Sequence, residues 1–412
     1  MRDYDTVNAP RSTTPIYLDN NASTPMDSRV IECMTDVMQS DYGNPSNTMH
    51  LCGRRGAELV EIARRQVASL IGANAREIVF TSSATESCNL AIKGVAEMYG
   101  RRGKHMVTCL SEHKAVINPL RRLESQGFNV TQLSPDEHGR VSVEQINEAI
   151  TAATILISIM AANNVVGTLN PIAEIGKVAK QRGVLFHCDA TQAVGKIPID
   201  VETMGIDLLS LSAHKFHGPK GVGALYIRGQ SPKVRLAPQI DGGGQEEGLR
   251  SGTLNVPGIV GMGLACEIAR NQLNEDAQRM ETLRDHLFKS LASRLPNVTL
   301  NGHPGERLPN TLNVSFAGTV ATELMQRLPE IAASVGSACA GGTDDPYYVL
   351  SAMGLGEDRA ASSIRFSLGR FTICGEIDSC IEKVGNAVNV LHNNEIKSPA
   401  CQAGCCEGRN DS

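Results

Sequence analysis

Tryptophan is absent from this 412-residue chain, and aromatic residues make up only 4% of it. Base-stacking platforms, which need exposed rings, are therefore excluded as the basis of its function. Charge of one sign is lacking too: 39 Lys and Arg stand against 44 Asp and Glu, a formal net charge of -5. That balance gives no general attraction for nucleic acid or an anionic membrane surface, and neither is an expected partner. No apolar run approaches the ~18 residues needed to cross a bilayer. The opening residues Met1-Arg2-Asp3-Tyr4-Asp5 carry acid and no apolar stretch, so no secretory or organellar leader is expected and the expected compartment is the cytoplasm. The 12 cysteines lie mostly singly along the chain, which argues for thiols in a reducing environment over a disulfide framework.

Glycine, by contrast, is plentiful at 39 residues, and 41% hydrophobic against 20% charged residues is an ordinary globular composition. At roughly 150 residues per domain, the length implies about two or three domains. The middle of the chain alternates short apolar runs with amphipathic stretches, the rhythm of βαβ units. Strands are expected at Ile78-Thr81, His105-Cys109, Asn129-Leu133, Ile155-Met160, Val184-Asp189 and Leu208-Ser212. Helices are expected near Glu86-Tyr99, Lys114-Gln126, Val143-Ile150 and Ile172-Gln181. A helical pattern from Pro257 to Leu295 then leads to a different rhythm, with strands near Asn297-Leu300, Thr311-Phe316 and Ile364-Leu368 and helices near Ala321-Leu328 and Glu376-His392. The expected organisation is an extension over 1-15, a large α/β domain over 16-260, a smaller α+β domain over 261-395 and a flexible tail over 396-412. The first residues of the large domain are expected to pack on the small one.

Three segments carry chemistry. Ser212-Ala213-His214-Lys215 follows an apolar strand, where a lysine at the carboxyl end of a parallel sheet is a candidate Schiff-base nucleophile or else a solvated turn residue. The run Val184-Leu185-Phe186 ends in Asp189, a carboxylate at the end of a buried strand that needs a cation such as a pyridinium nitrogen, or that merely caps the next helix. Thr81-Ser82-Ser83-Ala84-Thr85-Glu86 turns a strand into a helix, a ready phosphate site and equally an S-x-x-E capping box between Ser83 and Glu86. Cys401, Cys405 and Cys406 form a soft-ligand group in the tail, but no fourth ligand lies near them in the sequence and no metal is expected.

A lysine, a strand-end aspartate and a phosphate-cradling turn describe a pyridoxal-phosphate site, and the motifs that carry them resemble those of the group I cysteine desulfurases. The resemblance rests on Tyr17-Leu18-Asp19-Asn20-Asn21-Ala22-Ser23-Thr24-Pro25, Gly43-Asn44-Pro45-Ser46, Thr85-Glu86-Ser87, Glu112-His113-Lys114-Ala115-Val116, Asn163-Asn164, Asp189-Ala190-Thr191-Gln192, His214-Lys215, Gly218-Pro219-Lys220-Gly221, Arg250-Ser251-Gly252-Thr253 and Gly336-Ser337-Ala338-Cys339. It spans about Ile16 to Ile381. It implies the α/β fold of the fold-type I pyridoxal-phosphate transferases, with a mostly parallel seven-stranded sheet in the large domain. It further implies Lys215 as the cofactor-linked lysine, Asp189 at the ring nitrogen, Gln192 at the ring oxygen and His113 stacked on the ring. Ala84, Thr85, Ser212 and His214 would hold the phosphate, and Thr253 would reach the site of the other subunit of a homodimer. Asn164 and Arg365 would grip the substrate carboxylate, a task suited to a guanidinium fork.

The implied reaction converts L-cysteine to L-alanine and leaves a persulfide on Cys339, for delivery to a sulfur-acceptor protein that is an iron-sulfur scaffold or another carrier. Val335 to Gly342 is a loop of small residues with little to pack, which suits a reactive thiol. A selenocysteine lyase would share the cofactor residues; an aminotransferase would not need Cys339; a non-enzymatic sulfur carrier or metal scaffold would bind no cofactor. The chain departs from the family pattern at Ala161, Val165, Asp241, Glu247 and Tyr348, which touches the pocket shape and partner recognition more than the core chemistry.

Overall fold

The computed structural model describes residues 15–230, 232–336 and 347–396. Cys339, the tail cysteines Cys401, Cys405 and Cys406, and the extension as far as residue 14 lie outside those residues. A seven-stranded sheet runs in the order Ile78–Thr81, Gly223–Ile227, Leu208–Ser212, Leu185–Asp189, Thr154–Ser158, His105–Cys109 and Asn129–Leu133. Gly223–Ile227 is antiparallel to both neighbours, and all the other pairings are parallel. This is the mostly parallel α/β sheet expected, although Gly223–Ile227 was not among the strands read from the sequence and the strand from residue 154 ends at Ser158, two residues short of Met160.

Alternation within buried strands explains the near-continuous apolar runs, since both faces are covered. Met106, Leu156, Leu208 and Leu225 face a layer containing Ile92, Val95, Val116 and Leu120, from the helices Ala84–Tyr99 and Lys114–Glu124. Val107, Ile157, Phe186 and Leu209 point the other way, toward Val67, Ile175, Met262 and Ala265. Those residues come from the helices Leu51–Ile71, Ile172–Arg182 and Val256–Arg294. His187 is fully buried on its strand and is held on both sides, by Ser158 Oγ at 2.8 Å and Ser210 Oγ at 2.9 Å from the adjacent strands.

A second sheet, antiparallel throughout, orders Ser334–Val335, Ser363–Ser367, Thr311–Phe316 and Val298–Asn301. Its core gathers Leu312, Val314, Ile364 and Phe366 with Leu283, Leu287 and Leu291. The helix Val256–Arg294 therefore serves both cores: its first turns pack on the large sheet and its last turns on the small one. At 1.5 Å per residue it is about 58 Å long. Ile16–Tyr17 pairs in parallel with Ile331–Ala332, and Leu18 packs among the residues of the second core.

The carboxyl ends of the central strands are in register, with Asp189 opposite Ser210. The turn that follows Ile78–Thr81 lies directly over them because Gly223 lets it: a Cβ there would sit 2.7 Å from the Ser83 carbonyl carbon and 2.7 Å from Leu211 O.

Two outcomes follow from this packing. Gly223→Ala should lower the unfolding free energy by about 1–3 kcal/mol, as overpacking against backbone does, and urea titration measures it. Burial pushes the His187 pKa down from its ordinary 6.5 to about 4. The unfolded chain then takes up a proton that the folded chain refuses, so stability falls as pH drops through that window. In His187→Gln the slope of unfolding free energy against pH between 6 and 4.5 should be shallower by about 1.4 kcal/mol per pH unit, one proton's worth. An unchanged slope would remove His187 from that role.

Candidate active site

The chain leaves the strand Leu208–Ser212 through a single 3-10 turn, Ala213–Lys215, which lifts Lys215 off the sheet edge beside the end of Leu185–Asp189. Lys215 Nζ donates to Asn21 O at 2.7 Å and Ala22 O at 2.8 Å. Asp189 is 5% exposed and accepts from Thr191 N at 3.0 Å through Oδ1. Its carboxylate acts on a second buried carboxyl, Glu112, whose pKa burial and then Asp189 raise well above the ordinary range. Glu112 Oε1 accepts from Met160 N at 2.6 Å, while Oε2 has no partner.

Asn21 bonds three of the residues singled out in the sequence, Lys215, Gln192 and Asn164, and a fourth, Arg365, is reached through Asn164. The Asn21 carbonyl also accepts from Gln192 Nε2 at 2.9 Å, and the Asn21 Nδ2 donates to Thr311 Oγ1 at 2.9 Å and Asn164 O at 3.3 Å. Arg365 donates to the same Asn164 carbonyl at 2.9 Å, to Ser334 Oγ at 2.7 Å and to Asp19 Oδ1 at 2.6 Å. Only 2% of the Arg365 side chain is exposed, so it is not the solvated surface arginine that its strand position alone would allow. Asp19, Asn21 and Ser334 carried no assigned role in the sequence; the pair of amides next to an acid in a segment flanked by Leu18 and Pro25 was the signal available.

The Ser82–Glu86 turn forms only half of the expected capping box. Ser83 Oγ accepts from Glu86 N at 3.2 Å, but the Glu86 carboxylate reaches Ser82 N at 2.8 Å and Arg250 Nε at 2.9 Å. Burial raises the Glu86 pKa, and the hydrogen bonds from Arg250 and Ser82 overcome that and hold it below the ordinary value. Their contact brings the 250–253 turn beside the helix start, with Thr253 exposed. Ala84 and Thr85 stand at positions where an α-helix has no internal acceptor for its amides. Ser212 Oγ donates to Val222 O at 3.3 Å, so its proton is engaged within the protein. His214 Nδ1 lies 3.2 Å from Ser23 Oγ, and burial followed by Lys215, Lys220 and Lys196 lowers its pKa to about 4. His113 caps its helix by accepting from Ala115 N at 3.1 Å through Nδ1, which leaves Nε2 to carry the proton of the neutral ring.

A pyridoxal phosphate fits these donors. An amine, a buried strand-end carboxylate and a helix start with amides to spare are its complement, and Thr191 Oγ1, Asn164 Oδ1 and Arg365 Nε are buried without a partner. Two departures from the family pattern have a packing explanation. Val165 joins Val349, Leu350 and Met353 in a small apolar cluster where a carboxylate would be unpaired. Tyr348, beside it, donates to Glu112 O at 3.0 Å.

The comparisons with known proteins agree with this geometry. The family model described as aminotransferase class-V matches residues 16–379. The chain is 52% identical to the cysteine desulfurase IscS of Anaeromyxobacter dehalogenans, over 92% of this chain and 93% of the relative. It is 48% identical to a probable mitochondrial cysteine desulfurase of Dictyostelium discoideum, over 92% of this chain and 84% of that one. A solved structure titled as a NifS-like protein superposes with a TM-score of 0.85 at 40% identity, covering 91% of this chain and 100% of its own. A second, titled as SspA in complex with cysteine, gives 0.76 at 39% identity, covering 87% and 99%. Matched in sequence and fold over nearly its whole length, the chain belongs to the class-V aminotransferase family, in its group I cysteine desulfurase branch.

Proposed function

We propose that the chain uses pyridoxal phosphate to convert L-cysteine to L-alanine and holds the released sulfur as a persulfide on Cys339. The observation that carries this reading is that the Lys215 amine bonds the Asn21 carbonyl while Arg365 and the Asn21 side chain share the Asn164 carbonyl, one group for the substrate's α-carbon and one for its carboxylate. The cofactor, when bound, supplies an electron-withdrawing ring that stabilises negative charge at the α-carbon. Asp189 keeps a carboxylate ready for a cationic ring nitrogen. Lys215 holds and returns the α-proton, its Nζ steered by the Asn21 and Ala22 carbonyls. Gln192 and Asn164 line the same wall, His113 would stack on the ring, and the amides of Ala84 and Thr85 with His214 would take the phosphate, joined by Ser212 once its hydroxyl turns from Val222 O. Arg365 has Nε unpartnered, which suits it to a substrate carboxylate alongside its pairing with Asp19.

The sulfur step balances without an outside oxidant. The Cys339 thiolate attacks the substrate sulfur, the bond from sulfur to the β-carbon breaks, and its electron pair takes a proton to become the methyl group of alanine. The persulfide then passes to an acceptor protein, with an iron-sulfur scaffold as the acceptor that the resemblance to IscS relatives favours. In this reading a large domain over 16–260 would hold the cofactor and a small one over 261–395 would carry the Cys339 loop. A homodimer is supported by one stretch of exposed large apolar side chains, Ile31, Met38, Tyr42, Met49, Leu51 and Ile62, and by the position of the 250–253 turn beside the helix start at Ala84.

Cys339→Ala should keep the visible absorbance of bound cofactor and still bind cysteine, while sulfide release falls by about three orders of magnitude or more. Mass spectrometry after one turnover should place the added sulfur on Cys339 in the wild type; sulfur on Cys401, Cys405 or Cys406 in the variant would sink the assignment. For the dimer, inactive Lys215→Ala chains mixed with inactive Thr253→Ala chains should regain part of the activity, since one hybrid site contains both residues. A fully active monomer in sedimentation would end that idea.

A further inference from the structure

Lys196 has no part in the motif reading, yet its amine lies inside the site. It sits four residues after Gln192 and is 5% exposed. Its Nζ donates to Gln192 Oε1 at 2.7 Å and Asn21 Oδ1 at 3.3 Å. Both acceptors are neutral amide oxygens. Burying an ammonium without a counter-charge costs several kcal/mol, and a methionine would fill similar space without that cost. What the amine adds is therefore found in what it donates to.

The Gln192 side chain is an amide whose two ends differ in chemistry and hardly in shape. Lys196 Nζ donates to the carbonyl end of Gln192, and the Asn21 carbonyl, which can only accept, takes the NH2 end, so the amide is held in one orientation from both sides. The Asn21 carbonyl also receives Lys215 Nζ. Resting on the function proposed above, we infer that Lys196 is a positioning residue, which clamps the Gln192 carbonyl so that the amide NH2 is presented to the Lys215 side of the site. Without the lysine, the Asn21 carbonyl alone would hold the amide, and the Gln192 oxygen would be left without its donor.

A second effect comes from charge. The ionisable groups around Lys196 are Lys215 and His214 from the turn after Leu208–Ser212, His217 just beyond it, and Arg365 from the small sheet. Asp19 is already bonded to Arg365. Burial first, then Lys215 and Arg365, push the Lys196 pKa well below the ordinary lysine value. The repulsion is mutual, so a charge on Lys196 opposes a second charge on Lys215.

The test uses full-length Lys196→Met, Lys196→Gln and Lys196→Arg, alone and with Gln192→Ala. In cofactor-loaded enzyme, Lys196→Met should lower kcat about tenfold, the worth of one hydrogen bond of about 1.4 kcal/mol, with KM for cysteine unmoved. Lys196→Arg should restore the rate. Adding Lys196→Met to Gln192→Ala should cause no further loss, because the lysine acts through the glutamine. In protein stripped of cofactor, the pH of half-acetylation of Lys215, read by mass spectrometry, should rise by about one unit in Lys196→Met. If Lys196→Met does not yield folded protein, Lys196→Gln, which can donate without charge, should show the same rise with a nearly normal rate. Additive rate losses, or an unmoved half-acetylation pH, would overturn the proposal. Failure of the wild type to release sulfide from cysteine would instead overturn the proposed function, and the acetylation comparison would still stand.

Discussion

Asn21 joins the two sheets through hydrogen bonds that leave none of its polar groups idle. Its backbone N–H donates to Ser367 Oγ on the small sheet, its carbonyl receives Lys215 and Gln192 from the large one, and its side-chain oxygen receives Lys196 and Asn310. Its side-chain nitrogen reaches Thr311 and the Asn164 carbonyl, where Arg365 also binds. Side chains from both sheets are thus aligned on one residue that is 1% exposed. A buried amide with every partner in place fixes a single geometry; with one partner missing, it would carry the desolvation cost of an unsatisfied group. The Lys215 amine and the Arg365 guanidinium stand at a set separation because Lys215 bonds the Asn21 carbonyl and Arg365 bonds the Asn164 carbonyl that the Asn21 side chain also reaches.

Around the node, charge is sorted by burial. His187 is pushed down to about 4 by burial, and His214 and His217 by burial and neighbouring cations, so all three are neutral in the physiological range. Glu112 is pushed toward its neutral form. Around them stand Lys196, Lys215 and Arg365, with Asp19 bonded to Arg365 and Asp189 at the end of its strand. In the function proposed above, a ligand carrying phosphate and carboxylate groups would meet mostly basic side chains there. The histidines shape the site through hydrogen bonding and contact, not through charge.

Much of this was legible before the structure. The parallel strands announce themselves because burial on both faces demands unbroken apolar runs, and Thr311–Phe316 is found at the very residues expected. The helix Leu51–Ile71 escaped notice because Gly53 and Gly56 in its first turns read as helix breakers. They are glycine because the loop before the helix lies against it: a Cβ on Gly53 would fall 1.8 Å from Asn47 O. Lys215 and Asp189 could be found because a charged residue after an apolar strand is conspicuous. Asn21, Lys196 and Ser334 could not, since each depends on a partner far along the chain: Asn21 on Gln192 at 171 positions, Lys196 on Asn21 at 175 and Ser334 on Asp19 at 315. Local pattern carries no trace of such pairs.

The same long reach sets the order of events during synthesis. Ile16–Tyr17 is synthesised before its pairing strand Ile331–Ala332, and Asn20 and Asn21 close onto Ser367, which is made later still. Until Ser367 has emerged, the Asn21 and Ala22 carbonyls that receive Lys215 Nζ lack part of their anchor. The strands of the large sheet, which end at Ile227, are all made before that point, so the sheet can form ahead of the alignment of Lys215.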